Sequence, residues 1–249
     1  MTVPRFTGRS TPELALLIGV AEALGPLVDQ VVFIGGAIAP LLQTHPISPR
    51  VRPTKDVDGV AITATYAEFT VLQEQLRARG FLQLALAPDA TKHAHRWTTP
   101  SGSLFDLVAA GSHFGGSGNP VDQAAVDAAV SITLPTTNGG TMVIRHADAP
   151  AFIALKWAAY GDRGGGDLLG SHDVEDILAV IASRPQLAEE CARSTERVRG
   201  VVRAMADALL SCEDTLGEVL QAHVVVNAAH DPRRVHQRLK ERLHVLRSC

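Results

Sequence analysis

The sequence predicts an α+β protein, in which a mixed sheet with flanking helices is followed by a helical C-terminal domain. Two observations predict this class. Up to about Arg145, short β-branched runs alternate with helical segments and with turns rich in glycine and proline. From Asp148 onward the pattern is almost wholly helical. We therefore place an α/β domain at residues 1–147 and a helical domain at residues 148–249.

The predicted elements of the first domain are helices and strands separated by turns. Its first helix, from Pro12 to Leu24, has Thr11 as candidate N-cap and proline at its first position, which is a favoured start for a helix. The other elements lie at 31–34 (strand), 37–42 (helix), 57–63 (strand), 67–79 (helix), 81–86, 95–98 and 104–109 (strands), and 131–134 with 142–144 (hairpin). Residues 112–120 are predicted to form a loop.

The second domain is predicted to contain helices near residues 148–160, 172–183, 186–210, 213–224 and 232–246. Ser171 is the candidate N-cap of the second of these. The last helix is basic, and Arg234, Arg238 and Arg242 recur every four residues along one stripe. A solvated face is the first interpretation of this stripe. An electrostatic patch for an RNA acceptor is the second.

Composition and charge restrict the class of protein. The 249 residues are 46% hydrophobic and 20% charged, which excludes a disordered chain, and the net charge of -3 excludes a general polyanion binder. Three widely spaced cysteines form neither a disulfide framework nor a zinc spacing. The N-terminus lacks the apolar core of a signal peptide, and no apolar stretch is long enough to span a membrane. We expect a soluble, cytoplasmic protein.

The residues that carry chemistry form an ordered set in the first domain. Gly35-Gly36 lies between a predicted strand and a helix, and Asp56 and Asp58 follow about 20 residues later at the start of a strand. Asp106 lies about 50 residues beyond them, inside the apolar run 104–108. Taken singly, the glycines are typical of a plain turn, and the Asp-x-Asp pair is typical of a solvated strand edge or a helix cap. The order of all three favours a site.

Alternation along a strand brings these carboxylates together. Side chains two residues apart project to the same face, so Asp56 and Asp58 point together while Val57 turns into the core. If the strand of Asp106 is a neighbour, three carboxylates converge. Clustered carboxylates need cations, and Mg²⁺ prefers carboxylate and phosphate oxygens. Two Mg²⁺ ions would stabilise the attacking and leaving oxygens of an in-line displacement at phosphorus.

The Gly-Gly turn supplies the second requirement of such a reaction. A glycine-rich turn before a helix lets backbone N–H groups approach a phosphate closely. Arg52 and Lys55 would add cationic contacts to a triphosphate, and Thr54 is placed with them among the nucleotide-binding residues.

This order of Gly-Gly, Asp-x-Asp and a later single Asp resembles the DNA polymerase β-type nucleotidyltransferase superfamily and implies its fold. Residues 152–187, FIALKWAAYGDRGGGDLLGSHDVEDILAVIASRPQL, narrow the resemblance. A helix with lysine, then arginine, a glycine-rich loop and an acidic helix is similar to the AbiEii-type branch, which includes nucleotidyltransferase toxins. The resemblance covers roughly residues 30 to 190.

The resemblance implies roles for individual residues. Gly35 and Gly36 would hold the nucleotide phosphates, and Asp56 and Asp58 would bind the metal ions. Asp106 would be the third metal ligand and a candidate general base for the acceptor hydroxyl. Two departures stand out: Gly36 replaces a serine that is common in relatives, and Gly59 replaces a bulkier residue, which would loosen its strand.

The second signature implies further roles. Lys156 and Arg163 would reach towards the triphosphate, while Asp173 and Asp176 would have a structural or substrate-orienting role. Each has a plainer alternative, since Lys156 also fits a solvated lysine and Asp173 also fits the favoured acidic first turn of a helix.

The sequence therefore predicts an enzyme that moves a nucleotide from an NTP to an acceptor and releases pyrophosphate. The acceptor is predicted to be tRNA or protein, and the branch implies a toxin with a cognate antitoxin. A small-molecule acceptor such as an antibiotic stays open. A non-catalytic nucleotide sensor of the same fold is the alternative from another class, and a phosphodiesterase is a third.

Overall fold

The structure is a computed structural model that describes residues 2–45, 52–63, 65–84, 95–110, 120–163, 166–224 and 232–249. The chain divides into two compact units. The first contains residues 1–40 and 53–147, and the second contains residues 41–52 and 148–249. The first unit is built around a mixed sheet and the second is helical, so the predicted α+β class is confirmed.

The seven-stranded sheet of the first unit has the order β3-β4-β5-β2-β1-β7-β6. Its strands are β1 (Val31–Ile34), β2 (Asp56–Ala61), β3 (Leu82–Gln83), β4 (Arg96–Thr98), β5 (Leu104–Ala109), β6 (Val130–Pro135) and β7 (Thr141–His146). β2 pairs with β5, and β1 with β7, in parallel, whereas the other neighbours are antiparallel. The predicted hairpin is β6 and β7.

Among the described residues of the first unit, four α-helices begin, α1 (Pro12–Leu24), α2 (Ala39–Leu42), α3 (Tyr66–Ala78) and α4 (Pro120–Asp127). The predicted cap of α1 is present, because the Thr11 hydroxyl oxygen accepts the N–H of Leu14 at 3.2 Å. Helix α4 was not predicted. Of the predicted loop at 112–120, residues 112–119 lie outside the described residues, and Pro120 is the first residue of α4.

Apolar side chains from both the sheet and α4 build the core on the face that also carries the acidic residues. Val32 and Val60 pack with Val126 of α4 and with Ala110, which follows β5. In β2, Asp56 and Asp58 share the face of Val60, because side chains alternate along a strand. The carboxylates therefore lie at one end of an apolar face, and the buried core fixes the strands that carry them.

The helices of the second unit are α5 (Ala149–Asp162), α6 (His172–Ser183), α7 (Leu187–Arg193), α8 (Glu196–Ser211), α9 (Glu213–His223) and α10 (Pro232–Arg247). The single helix predicted at 186–210 is wrong. Thr195 has an extended backbone, and its hydroxyl oxygen accepts the N–H of Val198 at 3.4 Å. Since threonine favours N-caps over helix interiors, the chain breaks there into α7 and α8.

Helix α10 binds the end of α6 through an arginine. Arg242 donates to the carbonyl oxygens of Ile181 and Ala182 at 2.5 and 2.6 Å, at the C-terminal end of α6. A cation there complements the helix dipole. Leu239 and Leu243 are buried on the apolar side. No helix among the described residues is both long and apolar enough to cross a membrane.

Candidate active site

The acidic residues of the sheet lie on two neighbouring strands. β2 and β5 run in parallel, with Asp58 opposite Asp106 and Asp56 opposite Leu104. The condition for the three carboxylates to converge, that these strands are neighbours, is therefore met. The Asp106 side chain is 11% exposed and that of Asp56 is 30% exposed. Three carboxylates converge at one end of the sheet face, one of them nearly buried.

Arg96, which sequence reasoning missed, binds two of these carboxylates. It lies on β4 directly opposite Asp106. Its Nε donates to Asp106 Oδ1 at 2.8 Å, and its Nη2 donates to Asp106 Oδ2 at 2.6 Å and to Asp56 Oδ2 at 3.0 Å. The hydrogen bonds to Asp106 are the largest cause that raises the pKa of the Arg96 guanidinium above its usual value. We call Arg96, Asp56, Asp58 and Asp106 the sheet cluster.

Trp97 explains why Arg96 points to the carboxylates. The indole of Trp97 is fully buried, and the residue lies opposite Phe105 in the register of β4 and β5. Since neighbours on a strand point to opposite faces, burial of Trp97 turns Arg96 to the face of Asp106. The signal in the sequence was a single arginine in the strand candidate at 95–98, but the sequence does not say which strand pairs with β5.

Gly35 brings the backbone against one carboxylate. Its φ is +72°, which favours glycine, and a Cβ atom there would lie 1.9 Å from Asp58 Oδ2. Gly36 follows and begins a short 3₁₀ helix, Gly36–Ile38. The structure thus places the predicted phosphate-binding turn directly beside one of the predicted metal ligands.

The residues that flank Asp58 support β2. The Thr54 hydroxyl donates to Asp56 Oδ1 at 3.0 Å, whereas Lys55 is exposed. A Cβ atom on Gly59 would lie 2.7 Å from Val31 Cγ1 and 3.1 Å from Phe105 Cε2. Close packing against Val31 and Phe105 therefore explains this glycine.

The carboxylates of the sheet cluster are suitable ligands for a hard divalent ion, but their present arrangement is not suited to binding one. Three carboxylates are the donor type that Mg²⁺ prefers. Within the part of the chain that the structure describes, however, no group of three or more His, Cys, Asp or Glu side chains is arranged to hold a metal ion. Arg96 provides a physical reason, because it occupies oxygens of two of the three carboxylates.

A second cluster of charges lies in the helical unit. Lys156 Nζ is 2.7 Å from Asp176 Oδ2 and 3.3 Å from Asp173 Oδ1. Arg163 Nη1 is 2.5 Å from Asp173 Oδ2, and Arg52 Nη2 is 3.6 Å from Asp176 Oδ2. We call these five residues the helix cluster. It gathers four predicted residues of the second signature together with Arg52.

The helix cluster is more deeply buried than the sheet cluster. The Asp173 and Asp176 side chains are each 3% exposed and Lys156 is 12% exposed, although Arg163 is 71% exposed. Ser171 caps α6 as predicted, since its Oγ accepts the N–H of Val174 at 3.3 Å. The ion pairs of Asp173 and Asp176 with Lys156 thus join α5 to α6 at a nearly buried position.

No family model matches the chain, and no curated protein matches it. Among solved structures, the chain is similar to an antigenic nucleotidyltransferase-like protein from Paracoccidioides brasiliensis, with 20% identity, a TM-score of 0.46, and coverage of 88% of this chain and 96% of that chain. JHP933 from Helicobacter pylori shares 12% identity at a TM-score of 0.44, with 96% and 93% covered. The antibiotic-resistance factor ANT(2'')-Ia shares 11% identity at a TM-score of 0.43, with 82% and 99% covered. The likeness at these values is a loose one, at the level of the chain trace.

Proposed function

We propose that the protein is an NTP-dependent nucleotidyltransferase, which moves an NMP group onto an acceptor hydroxyl and releases pyrophosphate. The observation that carries the proposal is the register of β2 and β5, which sets Asp58 opposite Asp106. Gly35 lies against the same Asp58 carboxylate. A carboxylate group beside a tight Gly-Gly turn is suited to a triphosphate bound through its metal ions.

In the proposed reaction, the acceptor oxygen forms a bond to the α-phosphorus, and the bond from that phosphorus to the leaving pyrophosphate breaks. Asp56, Asp58 and Asp106 would hold two Mg²⁺ ions, which would neutralise charge on the phosphate oxygens when bound. The backbone N–H groups at Gly35 and Gly36 would orient the phosphates. Asp106 is the candidate that accepts the proton of the acceptor hydroxyl.

Further nucleotide contacts are proposed for Thr54 and Lys55 and for the cationic residues of the helix cluster. Thr54 and Lys55 belong to the first unit, and the exposed Lys55 side chain is open to a phosphate. Lys156, Arg163 and Arg52 belong to the second unit, where they bind Asp173 and Asp176. For Lys156 and Arg163 the proposed role at the triphosphate rests on the resemblance, whereas for Arg52 it rests on its positive charge. Asp173 and Asp176 would orient them.

The acceptor is proposed to be tRNA or a protein. This choice rests on the resemblance to the AbiEii-type branch, as do a toxin role and a cognate antitoxin in the cytoplasm. An antibiotic or another small molecule is the alternative acceptor. A nucleotide sensor of the same fold would bind NTP without transferring it, and the experiment below separates it from the enzyme.

The test is incubation of the purified protein with each α-³²P-labelled NTP, Mg²⁺, and either total tRNA or cell extract. Asp58→Ala is the loss variant, and Asp127→Ala, which removes an exposed carboxylate of the same unit, is the matched control. We expect labelled RNA or protein with the wild type and with Asp127→Ala. The Asp58→Ala rate should fall by about 10³-fold, the scale for loss of a key charge-stabilising group.

Two outcomes would contradict the proposal. Normal transfer by a folded Asp58→Ala variant would remove the carboxylates from the mechanism. Mg²⁺-dependent NTP binding without transfer to RNA, protein or an antibiotic panel would favour the sensor instead. Circular dichroism of each variant establishes that the comparison is made between folded proteins.

A further inference from the structure

We infer that Arg96 is an internal counter-ion of the sheet cluster, and that it competes with divalent cations for Asp56 and Asp106. The inference deepens the proposed function, since it rests on the same carboxylates as metal ligands. Arg96 is a positioning residue in this account. It holds the carboxylates in place when no metal ion is bound, and its guanidinium must leave Asp56 for an ion to bind there.

The hydrogen bonds show why both cations do not fit together. The Arg96 fork engages both oxygens of Asp106, and Nη2 also contacts Asp56 Oδ2 at 3.0 Å. A divalent ion that takes Asp106 as a ligand needs an oxygen that the guanidinium holds, and at Asp56 the guanidinium holds Oδ2 while Oδ1 accepts from Thr54. Two positive groups this close would also repel each other. Arg96 and the ion are therefore alternatives.

The charge balance favours the exchange. Three carboxylates and one guanidinium leave the sheet cluster with a formal charge of −2, with both Asp56 and Asp58 acting electrostatically on Arg96 alongside Asp106. One arginine does not neutralise the cluster, whereas a divalent ion supplies twice its charge. The Asp58 carboxylate therefore stabilises a bound divalent ion more strongly than it stabilises the guanidinium.

The surroundings of Arg96 permit movement of its side chain alone. The side chain is 30% exposed, so it has solvent on one side. Its neighbour Trp97 is fully buried, with the Arg77 guanidinium 5.2 Å from the ring centroid. The backbone of β4 is thus anchored, and rotation about the Arg96 side-chain bonds is sufficient to release Asp56.

The test measures Mn²⁺ affinity by electron paramagnetic resonance in the absence of nucleotide. We compare the full-length wild type with Arg96→Gln, which removes the charge, and with Arg96→Lys, which keeps the charge but loses the fork. Arg9→Gln is the matched control, because Arg9 is an exposed arginine of the same unit that lies outside the strands of the sheet. Thermal unfolding with and without Mn²⁺ provides a second readout.

If Arg96 competes with the metal ion, loss of Arg96 should raise the affinity for Mn²⁺ and lower the unfolding temperature in its absence. Arg96→Gln should bind Mn²⁺ about tenfold more tightly than the wild type, the scale of one charged hydrogen bond. Without Mn²⁺, the variant should unfold at a lower temperature than the wild type, because three carboxylates lose their counter-ion. Addition of Mn²⁺ should raise the unfolding temperature of the variant more than that of the wild type. Arg96→Lys should give intermediate values, and Arg9→Gln should match the wild type.

A brace without competition gives a different result. If Arg96 only shapes the site, Arg96→Gln binds Mn²⁺ more weakly or with unchanged affinity, and the inference is overturned. If that result comes with normal nucleotide transfer by the wild type, the inference alone fails. If neither the wild type nor Arg96→Gln binds Mn²⁺ and no label is transferred, the proposed function fails with it.

Discussion

The sheet cluster and the helix cluster contain the same kinds of groups in opposite proportions. In the sheet, three carboxylates surround one guanidinium, Arg96, which binds Asp106 and Asp56. In the helical unit, Arg52, Lys156 and Arg163 surround two carboxylates. The formal charge of the described groups is therefore −2 in one cluster and +1 in the other.

Burial separates the two clusters further. The carboxylates of the helix cluster are each 3% exposed, whereas Asp56 in the sheet cluster is 30% exposed. A buried carboxylate is tolerated because its cations compensate for lost hydration, so it must stay paired. A partly exposed acidic group with excess negative charge tolerates exchange of its cation. We therefore expect the helix cluster to stay paired and the sheet cluster to exchange its cation.

The largest expected effect separates the clusters by stability. Asp176→Asn removes the closest partner of Lys156, at 2.7 Å, and the Asp176 side chain is only 3% exposed. Loss of one partner of a buried ion pair costs 3–5 kcal/mol in general, and Asp173 still contacts Lys156, so we expect about 3 kcal/mol. Asp56→Asn relieves repulsion as it loses one bond to Arg96, so its cost stays within about 1 kcal/mol. Urea unfolding of both variants checks this difference.

Exposed pairs provide the control for that comparison. Glu189→Gln breaks the pair of Glu189 and Arg193, whose side chains are 77% and 72% exposed, and should change stability by less than about 0.5 kcal/mol. Equal losses for Asp176→Asn and Asp56→Asn would contradict the contrast.

Lys156→Met separates the roles of Lys156: a stability loss alone indicates a brace, and a raised KM for NTP indicates the predicted triphosphate contact.

Much of the sheet cluster was predictable, because strand alternation is a local property. Asp56 and Asp58 share a face whatever strand lies beside them, and the apolar run around Asp106 predicted its strand with the observed bounds of 104–109. The N-caps at Thr11 and Ser171 were predictable for the same reason, since a cap involves residues three apart. These signals need no knowledge of the tertiary fold.

The missed features depend on partners that are distant in sequence. Arg96 became part of the site because β4 pairs with β5 in a register that sets it opposite Asp106, which no spacing reveals. Arg52 was expected among the nucleotide contacts, but its ion pair with Asp176 joins residues more than 120 positions apart. The break between α7 and α8 is an exception, because its signal is local. Thr195 is a residue type that favours the N-cap position.

The next effect in size tests how closely the Gly-Gly turn approaches the sheet cluster. Gly35→Ala would place a Cβ atom 1.9 Å from Asp58 Oδ2 at a φ of +72°. Backbone strain and displacement of the carboxylate together should cost about 1–3 kcal/mol. Because Asp58 moves, Mn²⁺ affinity should fall as well. Calorimetry and Mn²⁺ titration of the same variant measure the two effects.

Gly19→Ala is the matched substitution outside the site. Gly19 lies in α1, and an added Cβ atom there meets nothing within 4 Å. Alanine is a better helix former, so this variant should be up to about 1 kcal/mol more stable with unchanged Mn²⁺ affinity. A Gly35→Ala protein that is as stable as Gly19→Ala would show that the turn does not constrain Asp58.

The smallest effect concerns a third carboxylate environment, at Asp148, which caps α5 and accepts the N–H of Ala151 at 2.9 Å. Burial raises the pKa of the Asp148 carboxyl above the ordinary 3.8, and the bond from Ala151 opposes this only in part. The folded protein then holds this proton more tightly than the unfolded chain. The contribution of Asp148 to stability is therefore fully present below pH 3.8 and is lost as the pH rises through the folded pKa.

Asp148→Asn keeps a capping oxygen but does not titrate. At pH 7 it should be as stable as the wild type or more stable by up to about 1 kcal/mol, and this advantage should shrink as the pH falls towards 4. Asp148→Ala, which has no capping oxygen, should instead lose about 1 kcal/mol at both pH values. Urea unfolding between pH 4.5 and 7.5 measures these differences. If the stability of Asp148→Asn relative to the wild type instead increases on acidification, the folded protein favours the ionised form of Asp148. Asp148 would then resemble the paired carboxylates of the helix cluster.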